Sequence, residues 1–160
     1  MVGIGIRPAY GIKNSNTSNN TTNNITVNTT SSTIDIDALN KVRKALVQKV
    51  AVALEDQFAT VYAKVKASSN GYSVANMAKR SLSNTCLSML ALCYKVKEQA
   101  SKASDLVLNH YQKNKNMTDR LAAMREAVHL DLECKGTILK HFEKEFSRDP
   151  IAFDNYFRVQ

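Results

Sequence analysis

Chemistry in this chain has few places to start: its histidines are His110, His129 and His141, and its cysteines are Cys86, Cys93 and Cys134. His129 with Glu133, and His141 with Glu145, stand four residues apart. That interval places two side chains on one helix face and could offer a metal two ligands. A break at Asp131 separates the members of the first pair, and His/Glu pairs at this spacing are routine surface contacts, so no structural zinc is expected. Cys86 and Cys93 lie seven residues apart on one predicted helix and face the same way, but they cannot bond within it. An odd number of cysteines does not suggest a secreted disulfide framework, and all three read as small buried apolar residues. No Ser or Cys lies in a strand-turn-helix context, and Gly3-Ile4-Gly5 lacks both the strand and the helix that a phosphate cradle needs. The residues therefore name no catalytic, cofactor-binding or metal-ligating site.

The elements that would have to position any such group are helical. Leu39, Val42, Leu46, Val50, Leu54, Phe58, Val61 and Val65 recur at steps of three and four, setting one apolar stripe on a helix of about eight turns. Asp35 or Asp37 caps its start, and Asn70-Gly71 ends it. A second helix begins at Ser73 and runs to about Tyr94 through Met77, Leu82, Cys86, Met89, Leu90 and Cys93. The third spans Glu98 to Gln112, with Ala103, Leu106, Val107 and Tyr111 inward, before a polar break at Lys113 to Asn116. Thr118 or Asp119 caps a fourth helix carrying Leu121, Met124 and Val128, and a fifth from about Leu132 carries Ile138, Leu139, Phe142 and Phe146. Asp149-Pro150 starts a short sixth helix with Phe153, Tyr156 and Phe157. Short connections make neighbouring helices antiparallel, so the chain is read as all-α, a stack of helix hairpins in the HEAT or armadillo style.

With 44% hydrophobic residues in 160, the chain can fill one core, while 5 Gly, 2 Pro and no Trp argue against a turn-rich β architecture. Residues 1–34 include an Asn/Ser/Thr-rich run from Lys13 to Thr33 with little apolar surface to offset ordering, and they read as a disordered tail before a helical domain at 35–160. Its Asn-x-Ser/Thr acceptors, at Asn16, Asn24 and Asn28 for example, are incidental without a secretory signal. Met1 to Tyr10 has no such signal, and no stretch reaches the roughly 20 apolar residues of a membrane span, so a soluble, cytoplasmic protein without membrane contact is expected. The net charge of +8 falls to +6 once the tail's Arg7 and Lys13 are set aside, and it is scattered through all the helices. Lys41, Arg43, Lys44 and Lys49 form the densest group and read as a solvated face; with no readout element, nucleic-acid binding is not expected.

Three stretches carry a family resemblance. Ala78-Lys79-Arg80-Ser81-Leu82-Ser83-Asn84-Thr85-Cys86-Leu87-Ser88-Met89-Leu90 looks like an Arg-x-Leu-x-Asn-x-Cys-Leu segment. Asn116-Met117-Thr118-Asp119-Arg120-Leu121-Ala122-Ala123-Met124 and Asp149-Pro150-Ile151-Ala152-Phe153-Asp154-Asn155-Tyr156-Phe157-Arg158-Val159-Gln160 follow it in order. Together they resemble the C-terminal helical domain of zinc metallopeptidases of the aminopeptidase N (alanyl aminopeptidase) type, over roughly Asp37 to Gln160, with Tyr156 where that family commonly has Trp. Arg80, Asn84, Asn116 and Asp119 are the polar residues of this likeness, and helix capping and inter-helix bonding account for them.

The resemblance implies a helical domain that packs over a thermolysin-like zinc domain and helps enclose its substrate chamber. The hydrolytic zinc of that family sits on an H-E-x-x-H helix, two His one turn apart with a Glu as general base. No two histidines here are four apart, so this chain is expected to supply neither zinc nor catalysis. The family's chain normally continues past this point, which suggests a fragment incomplete at its C-terminus. A catalytic zinc-peptidase domain, or another protein surface, is then the expected partner. The alternative is a free-standing helical interaction module, an adaptor derived from the same domain.

Overall fold

The computed structural model describes residues 34–65 and 73–160. These hold seven helices and no strand: α1 (Ile36–Ala53), α2 (Glu55–Val65), α3 (Val74–Val96), α4 (Ala100–Lys113), α5 (Met117–His129), α6 (Lys135–Phe146) and α7 (Pro150–Val159). From α2 onward each helix packs on its sequence neighbour, and α1, α3, α5 and α7 also touch in turn, forming one layer with α2, α4 and α6 alternating against it. That is the expected stack of helix hairpins. The tail's sequon asparagines, Gly3-Ile4-Gly5 and the Asn70-Gly71 stop lie outside the described residues.

The single long helix expected from Asp35 is two helices. At Leu54 the backbone moves to φ −112°, ψ 24°, although the Leu54 N–H still reaches the Val50 carbonyl at 3.0 Å and its own carbonyl accepts from Phe58 N–H at 2.9 Å. The helix is thus interrupted at Leu54, whose own N–H and carbonyl stay bonded to the turns on either side. Contacts to α3 set the bend: Ala51 is fully buried, and Glu55 accepts from Lys97 Nζ and, at 3.5 Å, from Cys93 Sγ. Beyond the bend Phe58 and Val61 pack on the core. Before it the expected inward stripe fails, because Leu39, Val42 and Leu46 are 60%, 66% and 60% exposed. Leu54 itself is exposed, as are Met77 and Leu82 at the start of α3, where an inward position was also expected.

Hydrogen bonding to Lys97 holds the Glu55 carboxyl below its ordinary value of 4.5. A depressed folded value stabilises above the unfolded one and is lost as pH falls through it. Glu55→Gln is therefore expected to lower the urea midpoint near neutrality, with the difference shrinking once the pH drops below 4.5. A gap that persists undiminished in acid would contradict the pairing.

Helix ends follow capping chemistry. Asp35 Oδ1 accepts from Ala38 N–H at 2.9 Å, Ser73 Oγ from Asn76 N–H at 3.2 Å, and Asp149 Oδ1 from Ile151 and Ala152 N–H at 3.0 and 3.1 Å. At α5 the cap is Asn116 rather than Thr118 or Asp119: its Oδ1 takes the Asp119 N–H at 2.9 Å while its Nδ2 donates to Asp119 Oδ2. This reciprocal bonding between the cap and the third helical residue resembles a capping box, with Asp119 in the place usually held by Glu or Gln.

Two turns close with left-handed residues that are not glycine, Glu98 at φ 60° and Asp131 at φ 48°. After α3, Glu98 N–H bonds Lys95 O and Gln99 N–H bonds Tyr94 O; after α5, Asp131 N–H bonds Val128 O and Leu132 N–H bonds Ala127 O. Both are Schellman closures, and the second buries Leu132 in the turn. The third and fifth predicted helices accordingly start later than expected, at Ala100 and Lys135. An L-residue is strained in this conformation, so Glu98→Gly is expected to stabilise by about 0.5–1 kcal/mol, read as a higher denaturant midpoint. No gain, or a loss, would mean that the Glu98 side chain offsets the strain.

Candidate functional site

Two of the stretches that carry the resemblance, those at 78–90 and 116–124, meet although they are separate in sequence. α3 and α5 face one another across a groove of about 650 Å³, lined on one side by Arg80, Ser81, Asn84, Thr85 and Ser88 and on the other by Thr118, Arg125 and Glu126, with Met77, Met117 and Leu121 as apolar floor and rim. The spacing explains the shared face: Arg80, Asn84 and Ser88 are one turn apart along α3, and Thr118, Leu121 and Arg125 follow steps of three and four on α5. Ser88 Oγ donates to Glu126 Oε1 at 2.7 Å and ties the two walls together.

Beneath Asn84 runs a buried chain of polar groups. Tyr62 of α2 places its hydroxyl 2.8 Å from His110 Nδ1, and His110 Nε2 is 3.0 Å from Asn84 Oδ1. An amide oxygen only accepts, so His110 Nε2 carries a proton and donates. This fixes the Asn84 amide with its oxygen inward. The cap below the groove adds Asp119, 3% exposed, whose Oδ1 has no hydrogen-bond partner among the described residues. Burial, then the Asp119 charge, pushes the Tyr62 phenol up to about 12, so it stays protonated at neutral pH and serves as a donor rather than a base.

The other histidines go elsewhere. His129 and Glu133 are both exposed, on either side of the Asp131 turn. On α6, His141 Nδ1 lies 3.0 Å from the Tyr111 hydroxyl and 3.4 Å from Glu145 Oε2, but that same carboxylate oxygen accepts from Arg120 Nη1 at 2.7 Å. Arg120 also donates to Asn114 O at 3.1 Å and lies over the Tyr111 and Phe146 rings, locking the α4–α5 loop to α6. The three imidazoles thus do not suit a zinc ion: one is buried with both ring nitrogens engaged, and the other two lie on separate helices, α5 and α6. Among the described residues no three His, Cys, Asp or Glu side chains group as metal ligands. Cys86, Cys93 and Cys134 are free and buried as expected, and burial pushes all three thiols up, away from the reactive thiolate.

Sequence reasoning missed Tyr62, Arg125 and Glu126, and saw His110 only as an unsuitable ligand. A signal for His110 existed: it falls seven after Ala103 and three after Val107, on the inward face of α4. A polar ring on an apolar stripe calls for partners. Nothing local marked Arg125 and Glu126, because the groove they line exists only once α3 packs on α5. No helix among the described residues is long and apolar enough to cross a membrane.

The comparisons with known proteins agree with this architecture. The family profile described as "Domain of unknown function (DUF3458_C) ARM repeats" matches residues 21–160. Aminopeptidase N of Haemophilus influenzae is 30% identical over 128 residues, covering 80% of this chain and 14% of that protein. Aminopeptidase N of Escherichia coli is 30% identical over 127 residues, covering 79% of this chain and likewise 14% of its own length. The chain therefore spans about one seventh of the curated relatives it matches. With its helices alternating between two layers and two of its motif stretches facing one another on α3 and α5, the chain belongs to the DUF3458_C ARM-repeat family and corresponds to a C-terminal helical domain of aminopeptidase N.

Proposed function

We propose that this chain is a structural part of an aminopeptidase N-like system: residues 35–160 form a helical domain that packs on a zinc-bearing peptidase domain and helps enclose its substrate chamber, with residues 1–34 as a polar tail. The hydrolytic zinc belongs to that other domain, and this chain supplies none of its ligands. The observation carrying the reading is that two of the three resemblance-bearing stretches meet on one groove, with Arg80 and Asn84 from α3 opposite Met117 and Thr118 from α5. A groove with cationic and amide groups over apolar side chains suits contact with peptide or with a neighbouring domain. A cytoplasmic setting accords with the buried free cysteines.

The test is a graft. Residues 35–160 replace the matched stretch of the Escherichia coli aminopeptidase N, and zinc content and release from an alanyl anilide are measured beside a version lacking the stretch. The graft is expected to retain zinc and turnover while the deletion loses turnover. The isolated chain is expected to carry no zinc and to release nothing. Stoichiometric zinc or turnover that stays with the isolated chain through purification to homogeneity would overturn the reading.

A further inference from the structure

The first half of α1 carries an apolar face that nothing among the described residues covers. Ile36, Leu39, Val42 and Leu46 are 76%, 60%, 66% and 60% exposed, and their steps of three and four place them on one side of the helix. Two cations share that side. Arg43 stands four after Leu39 and three before Leu46, and Lys49 stands seven after Val42 and three after Leu46. Both are exposed and make no ion pair among the described residues. The acidic side chain of α1 is Asp37, in its first turn.

We infer that this face binds an amphipathic helix of a partner protein whose apolar stripe is bordered by Glu or Asp. Three observations select that occupant. In an array of stacked helices each pair buries its stripe only against the next, so the stripe left open on α1 among the described residues has the shape another helix fills. The cations at Arg43 and Lys49 sit where flanking residues of a packed helix meet its neighbour, and opposite charge there selects the partner. A second copy of this chain fails the same criterion, because it would bring Arg43 and Lys49 against their own like charges.

An anionic lipid surface is the other chemistry that basic and apolar residues on one helix can serve. The face favours a helix instead, since it has no aromatic side chain to seat at a membrane interface, and the second half of α1 is committed to α3 through the fully buried Ala51. The inference rests on the α1 face alone, so failure of the zinc-domain graft would leave it standing, and failure here would leave the graft result intact.

The test uses the full chain and two synthetic helical peptides with the same leucine stripe, one flanked by Glu and one by Lys, followed by fluorescence anisotropy. The Glu-flanked peptide is expected to bind at least about tenfold more tightly than the Lys-flanked one. R43E/K49E is expected to invert that preference, which a merely sticky surface would not do. L39E/L46E, at positions already exposed, is expected to abolish binding of both peptides with the helical circular dichroism unchanged. Sedimentation of the chain alone and with phosphatidylserine vesicles completes the set, with no association expected in either. Equal binding of the two peptides, no binding of the Glu-flanked peptide, a dimer dissolved by L39E/L46E, or vesicle binding lost in L39E/L46E would each overturn the inference.

Discussion

His110→Ala is expected to destabilise the fold by about 3–5 kcal/mol, as the sum of an unfilled volume where a ring stood and the loss of two buried hydrogen bonds. His110 is 1% exposed, and its ring nitrogens reach Tyr62 at 2.8 Å and Asn84 at 3.0 Å, so one side chain of α4 fastens α2 and α3 as well. Tyr62→Phe keeps the ring and removes one bond, and is expected to cost only about 1 kcal/mol. The difference separates packing from polar bonding. Because Tyr62 and Asn84 act through the same imidazole, the double variant Tyr62→Phe/Asn84→Ala is expected to depart from additivity by about 0.5 kcal/mol or more in urea titrations. If His110→Ala melts within about 1 kcal/mol of the native chain, the network is incidental to the fold.

That network shows how far sequence reading reaches. Periodicity located the helices because burial enforces it: the inward residues of α3, α4, α5 and α6, from Cys86 and Leu90 through Val107, Met124 and Ile138, lie where steps of three and four place them. Caps at Asp35, Ser73 and Asp149 were equally legible, since each is a local bond between a side chain and the next turn. What escaped was set by contacts distant in sequence. The bend at Leu54 depends on Glu55 reaching Lys97 and Cys93, 42 and 38 positions away, so the run from Leu39 to Val65 looked like one helix. Glu98 and Asp131 gave no glycine to announce their left-handed turns. The groove was half legible: its motif residues were singled out, but that Arg80 and Asn84 would face Met117 and Thr118 required the crossing of α3 and α5.

The exposed stripe on α1 carries a related lesson. Leu39, Val42 and Leu46 obey the same periodicity as the core residues, yet they stand in solvent. Hydrophobic spacing predicts that a face is to be covered, without saying by what. In a stacked array an open stripe has the shape that a neighbouring helix fills, and this is the feature on which the inferred partner of α1 rests.

Phe142→Ala tests whether the chain behaves as such an array. Phe142 is completely buried, with ring centroids 4.7 Å from Phe146 and 6.5 Å from Tyr156. Deleting the ring is expected to cost about 3–5 kcal/mol locally, with a cavity that helices on two sides cannot close. α6 packs on α5 and α7 and is bonded to the end of α4 through Tyr111 and His141, while α7 reaches α5 and α6, so the last two helices hold to the remainder through α5 and the last turn of α4. In a nearest-neighbour stack the loss stays near its origin, and hydrogen exchange should accelerate in α6 and α7 while the amides of α3 and α4 keep most of their protection. A single cooperative core gives the other result, equal loss of protection from α2 to α7. Leu87→Ala, at a fully buried site in α3, is the converse probe. It touches the helix that α1, α2, α4 and α5 share, so it should lower protection across the stack by about 2–5 kcal/mol, including at residues whose own contacts are intact. If Phe142→Ala and Leu87→Ala produce the same exchange pattern, cooperativity spans the whole domain and the layered packing does not divide it into separable units.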